Sequence, residues 1–391
     1  GTCDTSSCQV YGGAAPRGSA TSVVRALEDP RTDQAIADTA SLVREWSTGV
    51  LVITEFSASN GPRTAGGQFP AVDDPWDDQP GNPNHRWTRV IGADQLANRY
   101  GLTRADAVRT TPAAGSVYDG IWANQVVLGD GRIRTAWEFR NEFGLPAPGF
   151  ELIPVVRGPS QTGGLAFIGD SVGVGVAGTA ASPLQVLLDG VYDAAWYNTR
   201  GSRPTGGGSD DGVAVAKAVP AGITSAVVEL GYNDTPSQMP ARIDAVMQAL
   251  RDGGVTSVRW LTVSERNPSR DYAATNAAIR AAADRWPELS VLDWNAASSV
   301  PGGHRWFAAD GIHLTSTGNA ELSMWLRDQL AGPAPRVLAG GQTYRVPVVG
   351  TAGVPDEGVA GVALNVTAVG PAAAGYVRVW DCAMEEPDTS S

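Results

Sequence analysis

The sequence predicts an α/β fold in its middle part, a three-layer sandwich around a parallel sheet. A β-rich region precedes it and a partial all-β region follows. Short continuous apolar runs at Leu165–Ile168, Ala226–Leu230, Val258–Val263 and Ser290–Leu292 suit strands covered on both faces. Helix-like stretches alternate with them at Val172–Leu188, Gly212–Ala218, Ala241–Asp252 and Asp271–Trp286, and a last one runs over Gly318–Leu330. Two polar, Gly- and Pro-containing loops, Arg157–Gly164 and Ala331–Pro335, bound the pattern and predict domains over 1–157, 158–334 and 335–391.

The length of 391 residues agrees with two or three domains at about 150 residues each. Apolar residues make up 42% and charged residues 18%, enough for packed cores. The formal charge of −12 argues against a phosphate-neutralising surface, so no nucleic-acid partner is expected. No apolar stretch approaches the roughly 18 residues of a membrane span. Cys3 and Cys8 suit a small disulfide in an oxidising compartment, which leaves Cys382 over. Half of a zinc site is the alternative, short of the usual four ligands.

In the first region, Thr48–Phe56, Gly129–Arg134 and Phe150–Val156 read as strands and Ala93–Tyr100 as a short helix. After residue 335, Tyr344–Val349, Val362–Val369 and Tyr376–Trp380 alternate between Gly/Pro turns as strands do.

The chemistry is concentrated in the middle. Gly169-Asp170-Ser171 follows an apolar run and precedes a helix, so the Ser sits at a strand's carboxyl end and at a helix N-terminus. A lone triplet of this kind is more often a helix cap. Two further signals change the balance. Gly231-Tyr232-Asn233-Asp234 follows a second strand and offers a side-chain amide. Asp310-Gly311-Ile312-His313 lies on a turn before a helix that Thr315 or Ser316 caps. A three-residue offset on a turn lets a carboxylate orient an imidazole as base for a hydroxyl. Only two other His are present: His304 has no acid at that offset, and His85 belongs to the first region.

The blocks IGDSVGVG, NTRGSRP, GYND and DGIH together resemble the SGNH (GDSL-type) serine hydrolase family over about residues 162–332. That resemblance implies a flavodoxin-like fold, Ser171 as nucleophile, His313 as base and Asp310 as its partner. It also implies an oxyanion hole from the backbone N–H groups of Ser171 and Gly201 and the side chain of Asn233, with no metal or cofactor. Asp170 and Asp234 read as structural, and Trp294 and Trp306 as core or rim.

The first region, through CDTSSCQVYGG, ITEFSASNGPRTAGG and WEFRNEFGLPAPGFEL, is similar to the carboxyl-side part of the stage II sporulation protein D family of lytic transglycosylases. That family's catalytic Glu belongs upstream of the Cys-containing turn, so no acid here, Glu55 included, matches it. The last region resembles a β repeat of secreted, cell-wall-associated proteins. The expected function is an acyl esterase acting on O-acetyl or other esters of carbohydrate, peptidoglycan among them, in a secreted or cell-wall-associated protein. The alternatives are a non-catalytic cell-wall-binding scaffold and part of a transglycosylase whose catalytic segment is missing.

Overall fold

Strand β4 (Gln161–Gly169) alternates its side chains between two cores, and this organises the molecule. The structure is a computed structural model. It describes residues 59–331 apart from 68, 79–81, 104, 106–107 and 156–160, and also 34, 36–40, 42–43, 45, 47–51 and 378–379. By backbone contacts the chain divides into Gly1–Ala58 and Ser59–Ser391. The three cysteines, Glu55 and most of Thr48–Phe56 lie outside the described residues. So do the strands expected after residue 335, save residues 378–379.

Before the middle domain, β1 (Arg109–Pro112), β2 (Asn124–Val127) and β3 (Ile133–Thr135) form an antiparallel meander. Helices α1 (Ala93–Tyr100) and α2 (Ala136–Phe143) accompany it. Of the segment read as a strand, Gly129–Arg134, only Ile133 and Arg134 lie in β3; the rest is the tight turn between β2 and β3. Gly131 takes φ +86° and its N–H reaches the Leu128 carbonyl, so pairing starts only at Ile133. Of Phe150–Val156, residue 156 lies outside the described residues, residues 150–154 form no strand and Val155 makes only a single bridge; Phe150 is drawn into an aromatic cluster with Phe139 and Trp87.

In the middle domain, β4 pairs in parallel with β5 (Tyr192–Thr199) on one side and β6 (Ile223–Glu229) on the other. β7 (Ser257–Leu261) and β8 (Leu289–Leu292) extend the sheet, giving the order β5-β4-β6-β7-β8. Ala166 and Ile168 face a core closed by α5 (Gly212–Lys217), α6 (Met239–Asp252) and α7 (Tyr272–Ala283). Leu165 and Phe167 face another, closed by α3 (Ser171–Ala177), α4 (Pro183–Leu188) and α9 (Ser316–Ala331). A short α8 (Trp294–Ser298) follows β8. Three layers around a parallel sheet are the predicted fold.

Two details differ from expectation. The helix read as Val172–Leu188 is two helices, because Gly178 ends the first and Pro183 takes a first-turn position in the second, where its missing N–H costs nothing. β4 also starts at Gln161, inside the stretch read as a loop, because its backbone pairs with Tyr192 and Ile223 on both sides despite apolar-poor side chains. β4 is where the connections diverge to opposite sides, and open α/β sheets form their crevice at the carboxyl end of such a point.

Candidate active site

Ser171 opens α3 directly beyond β4, at that carboxyl end. The local sequence forces the turn. Asp170 caps the helix, its Oδ1 accepting the Val172 N–H at 2.9 Å. Gly169 and Gly173 permit close passage: a Cβ on Gly169 would lie 3.0 Å from the Gly173 Cα. As the first residue of a helix, Ser171 has an N–H with no intrahelical acceptor.

The turn before α9 presents the imidazole. Asp310 Oδ1 accepts the N–H groups of Ile312 (2.9 Å) and His313 (3.0 Å), and its Oδ2 lies 2.6 Å from His313 Nδ1. His313 Nε2 lies 2.9 Å from Ser171 Oγ. Three side chains separated by 142 residues of chain thus form one relay at the sheet's rim. Gly311 has φ +69° and packs on Arg266 and Asn267, and Asn267 Nδ2 donates to the Asp310 carbonyl at 2.9 Å. Thr315, not Ser316, caps α9, its Oγ1 accepting the Gly318 N–H at 3.1 Å.

Burial pushes the Asp310 carboxyl up, but the bonds from His313 and from the Ile312 and His313 N–H groups outweigh it and leave it below the usual carboxylate range. The side chains of His313 and Asp310 are 50% and 42% exposed, so the relay is open to solvent.

Asn233 lies in the loop after β6, and its Nδ2 donates to Asp170 Oδ2 (2.9 Å) and to the Arg203 carbonyl (3.2 Å). Both partners can only accept, which fixes the amide's orientation. Both amide hydrogens are therefore engaged within the protein in this structure. Gly201 lies in the exposed turn after β5, which is tied to the turn carrying Ser171 from two directions. The Arg200 N–H (3.2 Å) and the Arg203 guanidinium (2.9 Å) both donate to the Gly169 carbonyl. Next to Gly201, Ser202 has φ +58°, a left-handed conformation that non-glycine residues rarely adopt.

Two residues that the sequence reading passed over support this geometry. Arg203 is 2% exposed, and besides Gly169 it holds the Asn198 carbonyl (2.8 Å) and side chain (2.7 Å). Glu229, 3% exposed, ends β6 and accepts the N–H groups of Asp170 and Gly173. Its signal was a charge inside the otherwise apolar run AVVEL.

Asp234 accepts from Thr205 and Arg242 and so bears on structure, not on the relay. Trp294 is buried and stacks on Trp306, His304 is exposed, and His85 pairs with Asp77 elsewhere. Among the described residues no group of three or more His, Cys, Asp or Glu side chains is placed to hold a metal, and no helix is long and apolar enough to cross a membrane.

No family model matches the chain, and no curated protein does. Among solved structures it is similar to TesA, with 21% identity over 43% of this chain and 98% of that one (TM-score 0.33). It is similar to a lipase/acylhydrolase from Enterococcus faecalis, with 18% identity over 45% of this chain and 99% of that one (TM-score 0.34). A two-domain esterase active on acetylated mannans shares 13% identity over 46% of this chain and 53% of that one (TM-score 0.31).

Proposed function

We propose that the chain is a serine ester hydrolase that removes acyl groups, O-acetyl groups foremost, from carbohydrate. The observation that carries this reading is the Asp310–His313–Ser171 relay, with contacts of 2.6 and 2.9 Å. Serine is a weak nucleophile until a base takes its proton, and imidazole titrates nearest neutrality. In the first step Ser171 Oγ bonds to the ester carbonyl carbon and its proton passes to His313 Nε2. Asp310 stabilises the imidazolium through Nδ1–H. The tetrahedral intermediate then breaks its bond to the alkoxy oxygen, which takes the proton from His313 and leaves as the alcohol. Water attacks the acyl-Ser171 carbonyl as His313 takes its proton; the second tetrahedral intermediate then breaks its bond to Ser171 Oγ, which regains the proton from His313, and the carboxylic acid departs.

The oxyanion is held by the N–H groups of Ser171 and Gly201 and by the Asn233 amide. For Asn233 to take part, the hydrogen on the Arg203 carbonyl turns to the oxyanion. That bond, at 3.2 Å, is the longer of its two, and the Asp170 bond at 2.9 Å stays as the pivot. Hydrogen bonds to an anion are the stronger ones, so the exchange is favourable only when the negative charge develops.

An open relay suits an ester carried on a polymer, because half-exposed His313 and Asp310 leave room for a chain too large to enclose. The resemblances of the flanking regions favour cell-wall glycan as that polymer and a secreted or cell-wall-associated protein. The test is turnover of p-nitrophenyl acetate and release of acetate from acetylated polysaccharides by the chain and by Ser171→Ala. Equal rates for the two proteins would remove the reading. Activity on long-chain esters with none on acetylated glycans would remove the substrate assignment alone.

A further inference from the structure

Beneath the nucleophile turn lies a buried carboxyl that the relay does not use. Glu229 Oε2 accepts the N–H of Asp170 at 3.1 Å and that of Gly173 at 2.9 Å, one residue before Ser171 and two after it. Space for it is built into the sequence, since a Cβ on Gly169 or Gly173 would stand 3.1 or 3.0 Å from that oxygen. The other oxygen, Oε1, meets no N–H or hydroxyl donor among the described residues.

The hydrogen bonds favour Asp170 over Glu229 as the one of the two neighbouring acids that carries the charge. Asp170 receives a donor on each oxygen, Val172 N–H on Oδ1 and the Asn233 amide on Oδ2. A charge on Glu229 would leave Oε1 bare in the core, a far costlier arrangement than a neutral carboxyl. Burial raises both acids, Asp170 to about 7, and the neighbouring Asp170 charge raises Glu229 further. The surrounding groups act on Asp170 in both directions. His313 and Arg203 favour the Asp170 anion, whereas Asp234 opposes it, and Tyr232 and Tyr272 are held neutral by burial.

We propose that Glu229 is a positioning residue for the chemistry at Ser171: its neutral carboxyl clips the backbone on both sides of the nucleophile and anchors Asp170, which in turn holds Asn233. Glu229 touches no reacting atom. The inference rests on the esterase reading. Its physical content is that the nucleophile turn is held from below, and displacing a reacting group by about 1 Å costs on the order of a hundredfold in rate.

The experiment compares Glu229→Leu and Glu229→Gln in the full chain, with p-nitrophenyl acetate kinetics normalised to active sites titrated with a fluorophosphonate probe. Leu fills the space without an acceptor, so kcat per titrated site falls about 30- to 100-fold while KM stays within about twofold. Gln keeps the volume and one acceptor oxygen and restores kcat to within about fivefold of the parent. A purely structural role would lower the fraction of folded protein and leave kcat per titrated site alone, and that result overturns the proposal. Gln as slow as Leu overturns the neutral clip. If the Leu variant fails to fold, Gly173→Ala decides, because its Cβ presses on Oε2; a roughly tenfold loss in kcat at unchanged KM supports the clip, and parental kcat refutes it. A parent chain that neither turns over ester nor takes the probe brings down the esterase reading and this inference with it. An active parent with unaffected variants removes the inference alone.

Discussion

Replacing Asp310 by Asn tests how much of the relay's power survives in an open site. The substitution keeps size but removes the charge 2.6 Å from His313 Nδ1, and an Asn amide turned toward the ring would favour the wrong tautomer. In a buried triad the same change lowers kcat about 10⁴-fold. Here the carboxylate is 42% exposed, so water screens it. Two unit charges with centres about 4 Å apart interact by about 4 kcal/mol at an effective dielectric of 20 and about 1 kcal/mol in bulk water. A half-exposed pair falls between, at about 2–4 kcal/mol, or roughly 30- to 1000-fold in kcat. The assay is kcat for p-nitrophenyl acetate per titrated active site, with the fold checked by circular dichroism. A loss below threefold would refute the role of Asp310 in orienting and charging His313. A loss of 10⁴-fold or more would refute the screening argument, since the carboxylate would then behave as a buried one.

Asn233→Ala should lower kcat about a hundredfold with KM little changed, because removing one oxyanion donor typically costs a hundred- to a thousandfold; steady-state kinetics decides, and an unchanged kcat would leave the amide with only its Asp170 and Arg203 bonds to account for. Arg203→Ala strips donors from the Gly169 and Asn198 carbonyls and the Asn198 side chain, so urea unfolding should show a loss of about 3 kcal/mol or more. The acid pair under the nucleophile sets a pH dependence. Both carboxyls are raised above their unfolded values, so the folded state binds more protons, and this contribution is present below about pH 4 and lost as pH rises through the folded-state values. Melting temperature measured across pH 5–8 should therefore fall more steeply for the parent than for Glu229→Gln; parallel curves would contradict the assignment.

The relay was legible because Ser171 stands in a short motif at a predicted strand end, and Asp310 and His313 are linked by a turn whose geometry follows from their spacing. The edge strand β5 was not. Its residues, Tyr192–Thr199, offer only the four-residue run AAWY, short, without a β-branched residue and flanked by Asp193 and Asn198, so pairing with β4 is what makes them a strand. Arg203 and Glu229 escaped notice for the opposite reason. Charged side chains are assigned to the surface by default, and what buries these two is a set of backbone carbonyls and N–H groups brought together only when the chain folds. The engagement of both Asn233 amide hydrogens is likewise a three-dimensional fact.

The stacked indoles near the base have an optical consequence. Trp294 lies 5.8 Å from Trp306 at an interplanar angle of 13°, and Trp325 lies 5.6 Å from Trp294. The Trp306 carbonyl accepts the Thr315 N–H at 2.8 Å, two residues beyond His313. Transition dipoles this close couple as an exciton, so near-ultraviolet dichroism of the three rings reports whether the segment carrying the imidazole is folded, without a label and without substrate.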